Sequence, residues 1–124
     1  MLFRSQGYFS NWIFDRRQPG AILQISDPQG DYYVELAAPE PIICFAAGIG
    51  ITPAVAFLRT ILAEGKTQIL HIDYSARADN EFIYREQLED IARQHEQIRI
   101  NFRKTQIDGR IKSDDVKQIG RAHV

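Results

Sequence analysis

The chain has 124 residues, of which 44% are hydrophobic and 25% are charged, and its formal net charge is −1. This is the composition of a globular protein, and it excludes the strongly basic character expected of a nucleic-acid-binding domain. No apolar run reaches the roughly 20 residues that a membrane-spanning helix needs. We therefore expect neither nucleic acid nor a membrane among its partners.

The cysteine and histidine content excludes two further classes of site. The single cysteine, Cys44, lies in an apolar segment, which predicts a buried, unreactive side chain and excludes an internal disulfide. The three histidines are too dispersed to predict a metal site. The first residues also lack the apolar core of a signal peptide, so we expect a cytoplasmic location.

The first part of the chain, up to residue 38, predicts one short helix and a hairpin. The segment SNWIFDRR predicts a helix with Ser10 as its N-cap, and Pro19-Gly20 predicts a turn after it. Two β-prone segments, AILQISD and DYYVEL, flank the turn residues PQG. This pattern is typical of an antiparallel β-hairpin.

The pattern changes after the segment APEP, residues 38–41. IICFAA is continuously apolar, as is typical of a strand buried on both faces. The next segment has apolar residues at helical spacing, with Thr52 as the predicted N-cap, Pro53 at the first helical position and Gly65 at the end. QILHIDYS predicts a second strand.

The remaining segments continue the alternation of strands and helices. NEFIYREQLEDIARQHE predicts a helix, IRINFRK a strand and SDDVKQIG a further helix. The order β-α-β-α-β-α predicts an α/β fold, a Rossmann-like parallel sheet with helices on both faces. An exposed edge strand in such a sheet is a template for pairing, which predicts a homo-oligomer.

The sequence GIGITP lies at the first turn from strand to helix, which is the usual anion site of such sheets. Gly48 and Gly50 allow the backbone to turn tightly and approach a ligand, and the following helix start favours a pyrophosphate. The spacing matches neither the Walker pattern nor the dinucleotide fingerprint with its third glycine. A glycine turn without a ligand is the alternative interpretation.

The end of the second predicted strand carries Ser75 and Arg77. A hydroxyl and a guanidinium there favour a 2′-phosphate and hence NADPH, because no acidic residue closes the strand, and Asp73 lies within its alternation. The alternative is that Arg77 is a solvated loop charge. The choice between NADH and NADPH stays open.

These motifs carry a resemblance to a known family. FAAGIGITPAVAFLRTIL, followed by YSAR and by GRI at 109–111, resembles the nucleotide-binding domain of the ferredoxin-NADP reductase superfamily, especially the reductase components of bacterial oxygenases such as phenylacetyl-CoA epoxidase and phenol hydroxylase. The upstream segment with its Gly-x-x-Ser motif is similar to the end of that family's FAD-binding barrel. The resemblance implies a C-terminal part of an FAD-binding domain at 1–38 and an NAD(P)-binding domain at 39–124, truncated before its last strands.

The resemblance also implies roles for individual residues. The residues matching the segment that holds the FAD pyrophosphate are Gly7, Phe9, Ser10 and Asn11. The residues matching the loop under the NAD(P)H pyrophosphate and nicotinamide are Gly48, Gly50, Thr52 and Pro53. Thr52 is expected nearest the nicotinamide, as the catalytic residue, and Arg77 matches a position that meets the adenosine phosphate.

The implied function is that of a flavin-dependent oxidoreductase with FAD and NAD(P)H as cofactors. Hydride passes from NAD(P)H to FAD, and electrons pass on to an iron–sulfur centre, ferredoxin or oxygenase. The family's Arg-x-Tyr-Ser and Cys-Gly-Pro segments would lie outside residues 1–124, so we expect these residues alone to bind nucleotide weakly and FAD poorly. Two alternatives remain: a non-catalytic nucleotide-binding or assembly module, and a nucleotide-binding fold unrelated to flavin.

Overall fold

The computed structural model describes residues 7–16, 18–36 and 38–122. The chain divides into two compact units, with the boundary between Tyr33 and Val34. The predicted assignment of cofactor domains to 1–38 and 39–124 stays a prediction. Within the described ranges, no helix is long and apolar enough to cross a membrane.

The first unit contains one helix, α1, Tyr8–Arg16. The N–H of Asn11 donates to the carbonyl of Gly7 at 3.0 Å, so the helix begins before Ser10. The prediction that Ser10 is the N-cap is therefore wrong, and Ser10 lies inside the helix. Phe9 stacks on Trp12 at a centroid distance of 6.2 Å. Such i,i+3 contacts stabilise the additional first turn.

The described residues between 18 and 36 contain no strand, although the sequence pattern predicts a hairpin there. Ile22 is 95% exposed and Ile25 is 85% exposed, so their apolar side chains have no covering layer in this unit. Two strands alone are only marginally stable in water without such a layer. The predicted antiparallel hairpin is accordingly replaced by irregular chain.

The second unit contains a three-stranded parallel sheet in the order β1-β2-β3. The strands are β1, Ile42–Ala47, β2, Leu70–Ala76, and β3, Ile98–Lys104. Ile42 lies opposite Leu70, which lies opposite Ile98. The predicted Rossmann-like arrangement is confirmed. Among the described strands β1 and β3 each have a neighbour on one side only, and pairing with a second copy stays a prediction.

Three helices pack on this sheet: α2, Ile51–Ala63, α3, Arg85–Gln94, and α4, Ser113–Arg121. The two crossovers advance in the same direction across the sheet, and right-handed connections then place α2 and α3 on one face. The apolar side chains of α2 and α3 pack against that face of the sheet and form the core of the unit with it. Its largest fully buried apolar members are Ile51, Leu58, Ile61, Leu70, Ile72, Tyr74 and Leu88.

The helix α4 lies on the opposite face of the sheet. Side chains alternate between faces along a strand, so Arg103 and its neighbour Phe102 point to opposite sides. Phe102 packs edge-on against Phe82 at a centroid distance of 5.2 Å, on the side of α3. Arg103 Nη1 lies 3.6 Å from the Asp115 carboxylate of α4. The predicted placement of helices on both faces is therefore confirmed.

The ends of α2 differ in how well the sequence predicts them. Gly50, not Thr52, is the N-cap, so Thr52 and Pro53 occupy the second and third helical positions. Gly65 ends the helix as predicted, with a φ of +61°. The N–H of Gly65 donates to the Leu62 carbonyl, and the N–H of Lys66 donates to the Ile61 carbonyl at 2.9 Å. These two bonds form a Schellman motif.

The third predicted helix begins later than its pattern suggests. A 3-10 turn occupies Asp79–Glu81, and α3 starts only at Arg85. The hydroxyl of buried Tyr74 accepts the N–H of Ile83 at 3.0 Å. That bond uses a donor that a continuous helix would give to a carbonyl, so the intervening residues stay out of the helix.

Candidate functional site

The turn between β1 and α2 is built from Gly48–Gly50 as a short 3-10 turn. Gly48 has a φ of +51°, a conformation that L side chains adopt only with strain. A Cβ added at either Gly48 or Gly50 would meet no protein atom within 4 Å. Internal packing therefore does not require a glycine at Gly50. The open space leaves the backbone accessible to a ligand.

The beginning of α2 has an electrostatic character that α4 lacks. The first turn of α2 has no acidic residue, and Gly50 supplies no capping side chain. The first turn of α4 contains two aspartates, and the carboxylate of Asp115 accepts the N–H of Lys112 at 2.9 Å. The partial positive charge at the start of α2 is thus left for an external anion.

The hydroxyl of Ser75 lies on the strand next to this turn. Ala47, the last residue of β1, is the register partner of Ser75 in β2. The carboxyl end of β2 therefore lies beside the turn that begins at Gly48. A cavity of about 140 Å³ opens between the two strand ends. Its lining residues are Phe45, Ala46, Ala47, Asp73, Ser75 and Ile111.

Arg77 follows β2 directly and is at the same edge of the sheet. Its side chain is 78% exposed, and its Nε lies 3.5 Å from the Glu81 carboxylate. The Arg77 carbonyl accepts the N–H of Gln106, and the Ala76 carbonyl accepts the N–H of Thr105 at 2.9 Å. These bonds join the end of β2 to the chain that follows β3. They hold the backbone of Arg77 at the carboxyl edge of the sheet.

Six predicted site residues lie at this edge, in the turn before α2, in the first turn of α2, and at or just after the end of β2. They are Gly48, Gly50, Thr52, Pro53, Ser75 and Arg77. The side chain of Thr52 is exposed at the second position of α2, where its hydroxyl is available to a ligand. The carboxyl edge therefore offers an open backbone turn, two hydroxyls and a guanidinium, which is a set of groups suited to a phosphorylated ligand.

The other predicted site residues lie in the first unit, at the start of α1. Gly7 precedes the helix, and Phe9, Ser10 and Asn11 are in its first turn, which contains no acidic residue. Phe9 is 67% exposed. These four residues lie within the five-residue stretch 7–11, and their assignment to FAD stays a prediction.

Asp73 is a buried charge whose importance the sequence pattern does not reveal. It is 1% exposed, and its carboxylate accepts Asn101 Nδ2 at 2.7 Å and Arg103 Nε at 3.4 Å. The hydrogen bond to Asp73 is the main cause that raises the pKa of Arg103 above its usual value. The positive charge of Arg103 is therefore compensated by the buried carboxylate of Asp73. No sequence signal finds this pair, because the sheet register joins residues about thirty positions apart.

A larger cavity, about 540 Å³, lies at the opposite, amino edge of the sheet, where Lys66 and Gln68 are among its lining residues. Lys66 Nζ donates to the Leu36 carbonyl at 2.9 Å, and Gln68 Nε2 donates to the Ala38 carbonyl at 2.7 Å. These side-chain donors are thus already bonded to the chain's own backbone. The smaller cavity at the carboxyl edge is therefore the better candidate for binding a phosphorylated ligand.

Neither Cys44 nor the arrangement of the described His, Cys, Asp and Glu side chains indicates a second site. Burial raises the pKa of the Cys44 thiol, which makes it a poor nucleophile. Across residues 7–16, 18–36 and 38–122 no group of three or more His, Cys, Asp or Glu side chains is arranged to hold a metal ion.

Comparison with known proteins adds an independent finding. The family profile described as the oxidoreductase NAD-binding domain matches residues 44–123. A relative named NADPH oxidoreductase from Mycobacterium tuberculosis is 30% identical over 116 residues, which cover 93% of this chain and 30% of the relative. Ferredoxin-NADP reductase B from Sorangium cellulosum is 34% identical over 96 residues, covering 77% of this chain and 39% of that protein.

A solved structure supports the same fold. The flavohemoglobin of Malassezia yamatoensis, with bound FAD and heme, superposes with a TM-score of 0.67 at 23% identity, over 98% of this chain and 38% of that chain. The chain thus spans less than two fifths of the length of each of these three proteins. With its parallel sheet and open glycine turn, the chain belongs to the oxidoreductase NAD-binding domain family, the nucleotide-binding domain of the ferredoxin-NADP reductase superfamily.

Proposed function

We propose that the chain is the coenzyme-binding part of a flavin-dependent NAD(P)H oxidoreductase. The observation that carries the proposal is the glycine turn before α2, which is open to solvent and leads into a helix start without an acidic side chain. Membership of the NAD-binding family supports it, as do relatives named NADPH oxidoreductase and ferredoxin-NADP reductase B. The electron acceptor is proposed to be an iron–sulfur centre, a ferredoxin or an oxygenase.

The residues of the carboxyl edge divide the work of binding. The backbone of Gly48 and Gly50 and the start of α2 hold the pyrophosphate. Ser75 and Arg77 hold the adenosine half through a hydroxyl and a guanidinium. Thr52, exposed on the first turn of α2, orients the nicotinamide end. This chain thereby fixes where the coenzyme lies, and correct placement is a large part of catalysis.

The start of α1 is proposed to hold the flavin's pyrophosphate. Gly7 and the first turn of α1 offer backbone N–H groups without a competing acidic residue. When bound, nicotinamide and flavin supply the redox chemistry, a hydride transfer to FAD followed by transfer of single electrons to the acceptor. Replacing Ser10 with Ala in the whole protein should weaken FAD binding, and unchanged FAD affinity would favour a nucleotide-binding fold unrelated to flavin.

The substitution Gly50→Asp separates coenzyme binding from folding. Gly50 has a φ of −62°, which any L residue adopts, and a carboxylate near a helix start is favourable, so the free energy of unfolding should stay equal or rise. The aspartate carboxylate would lie where the pyrophosphate binds, and like charges about 4 Å apart near a protein surface repel by about 1 to 4 kcal/mol. The dissociation constant for NADPH, measured by calorimetry, should therefore rise at least about fivefold.

Gly50→Asn is the matched control for that experiment. Asparagine has nearly the same shape as aspartate and fits the same backbone conformation, but it carries no charge. We expect it to weaken NADPH binding less than Gly50→Asp does. Equal NADPH affinity in wild type and Gly50→Asp would contradict the proposed site. Intact coenzyme binding without any flavin reduction in the whole protein would favour a non-catalytic nucleotide-binding or assembly module.

A further inference from the structure

Two carboxylates follow β2 within one short turn and neutralise the cations at its carboxyl end. Asp79 and Glu81 are the first and last residues of the 3-10 turn after β2. Arg77 Nε lies 3.5 Å from the Glu81 carboxylate. Lys104 Nζ, at the end of β3, lies 3.6 Å from the Asp79 carboxylate. Asp79 also pairs with Arg85 of α3, so the turn sets its own negative charge against several cations at this corner of the sheet.

The carboxylate of Glu81 can readily be replaced by another anion at Arg77. The Arg77 side chain is 78% exposed and that of Glu81 is 42% exposed. Exposed ion pairs contribute little to stability, so a more highly charged anion displaces such a carboxylate readily. Arg103 is different, because its side chain is 14% exposed and it is held by buried Asp73. Arg77 is thus a cation at this edge that an incoming phosphate can recruit.

We propose that Glu81 is a coenzyme-discrimination residue, whose carboxylate competes with the 2′-phosphate of NADPH for Arg77 and lowers the preference for NADPH over NADH. The inference rests on the proposed function, because it requires the adenosine ribose to lie at the carboxyl end of β2. A 2′-phosphate must displace Glu81 to reach Arg77. The 2′-hydroxyl of NADH meets no such repulsion and donates a hydrogen bond to a carboxylate there.

The test compares two small nucleotides that differ only at the 2′ position, 2′-phospho-AMP and AMP. Their dissociation constants are measured by calorimetry at low salt for the wild-type protein and for Glu81→Gln. Glutamine preserves the shape of the side chain and removes its charge. The dissociation constant of 2′-phospho-AMP should fall about two- to fivefold, the range expected for releasing one exposed ion pair. AMP should bind no more tightly.

Two further variants separate competition at Arg77 from a general change of charge. Glu86→Gln removes the same charge from an exposed position in the first turn of α3, and it should leave the ratio of the two dissociation constants unchanged. In an Arg77→Ala background the effect of Glu81→Gln should disappear, as a double-mutant cycle requires of directly coupled residues. An equal effect of Glu81→Gln with and without Arg77 would overturn the inference.

The remaining outcomes distinguish this inference from the proposed function. If both nucleotides bind and Glu81→Gln leaves their ratio unchanged, the role of Glu81 is overturned while the coenzyme site stands. If the wild-type protein binds neither nucleotide, the proposed function fails, and the inference fails with it. Raising the salt concentration should shrink the effect of Glu81→Gln, because exposed charges are screened.

Discussion

The two units of this chain show the same kind of sequence pattern with opposite structural results. In residues 34–124, apolar segments form three paired strands, and Ile72 is fully buried under α2 and α3. In residues 1–33, an equally β-prone segment forms no strand among its described residues, and Ile22 is 95% exposed. Local propensity therefore produces a strand only where neighbouring strands and a covering layer are present.

The largest expected effect tests whether the buried core is confined to the second unit. Replacing Ile72 with Ala should lower the free energy of unfolding by about 2 to 5 kcal/mol, because it leaves a cavity in a packed interior. The matched substitution Ile22→Ala should change it by no more than about 0.5 kcal/mol. Urea unfolding followed by circular dichroism measures both. Equal losses would mean that the first unit also has a core.

The second-largest loss of stability is expected on removal of the buried charge of Asp73 in the second unit. Asp73→Ala leaves Arg103 without its main partner in a largely buried position, although Asp115 stays nearby. The expected loss is about 3 kcal/mol, the lower end for breaking a buried pair. Asp90→Ala removes an exposed partner of Arg93 and should cost no more than about 1 kcal/mol. If the two substitutions cost the same, the buried pair does not stabilise this unit.

A smaller effect tests the hydrogen bond that delays the start of α3. Tyr74→Phe removes the hydroxyl that accepts the N–H of Ile83 while preserving the packing of the ring. This hydrogen bond is partly buried, and a typical one contributes about 0.5 to 1.5 kcal/mol, so the free energy of unfolding should fall by that amount. Amide hydrogen exchange at Ile83 should become faster. Unchanged exchange there would show that the bond does not restrain this turn.

The smallest effect concerns pH. The hydrogen bond from Arg85 is the main cause that lowers the pKa of Asp79. A carboxyl whose pKa is lower in the folded state stabilises it above the unfolded pKa, and this contribution is lost as the pH falls through the folded value. The wild type should therefore exceed Asp79→Asn slightly in stability at neutral pH. The difference should shrink as the pH falls below about 4, near the unfolded pKa, and vanish only once the pH lies below the folded pKa. A difference that did not shrink on acidification would contradict this.

The sequence predicts most of the second unit because its segments satisfy several constraints at once. The apolar segment of β1 and the glycine at the end of α2 each point to one local structure. The same holds for the position of Gly48 and Gly50 between a strand and a helix. The start of α2 is misplaced because the pattern treats Thr52 as the cap, whereas the turn of glycines itself leads into the helix.

The parts that sequence patterns miss depend on contacts between distant residues. The partners of Asp73 lie on the neighbouring strand and become visible only through the register of β2 and β3. The contact of Asp79 with Lys104 has the same origin. The pair of Arg77 and Glu81 has a visible spacing of four residues, but that spacing implies contact only once the local chain geometry is known.

The proposed function requires the coenzyme to bind at the carboxyl edge of the sheet and not in the larger cavity at the amino edge. Titrating the isotopically labelled protein with NADPH and following backbone amide shifts by NMR tests it directly. We predict the largest shifts at Gly48, Gly50 and Thr52, with smaller shifts at Arg77. Shifts centred on Lys66 and Gln68, or no shifts at saturating NADPH, would contradict binding at the carboxyl edge.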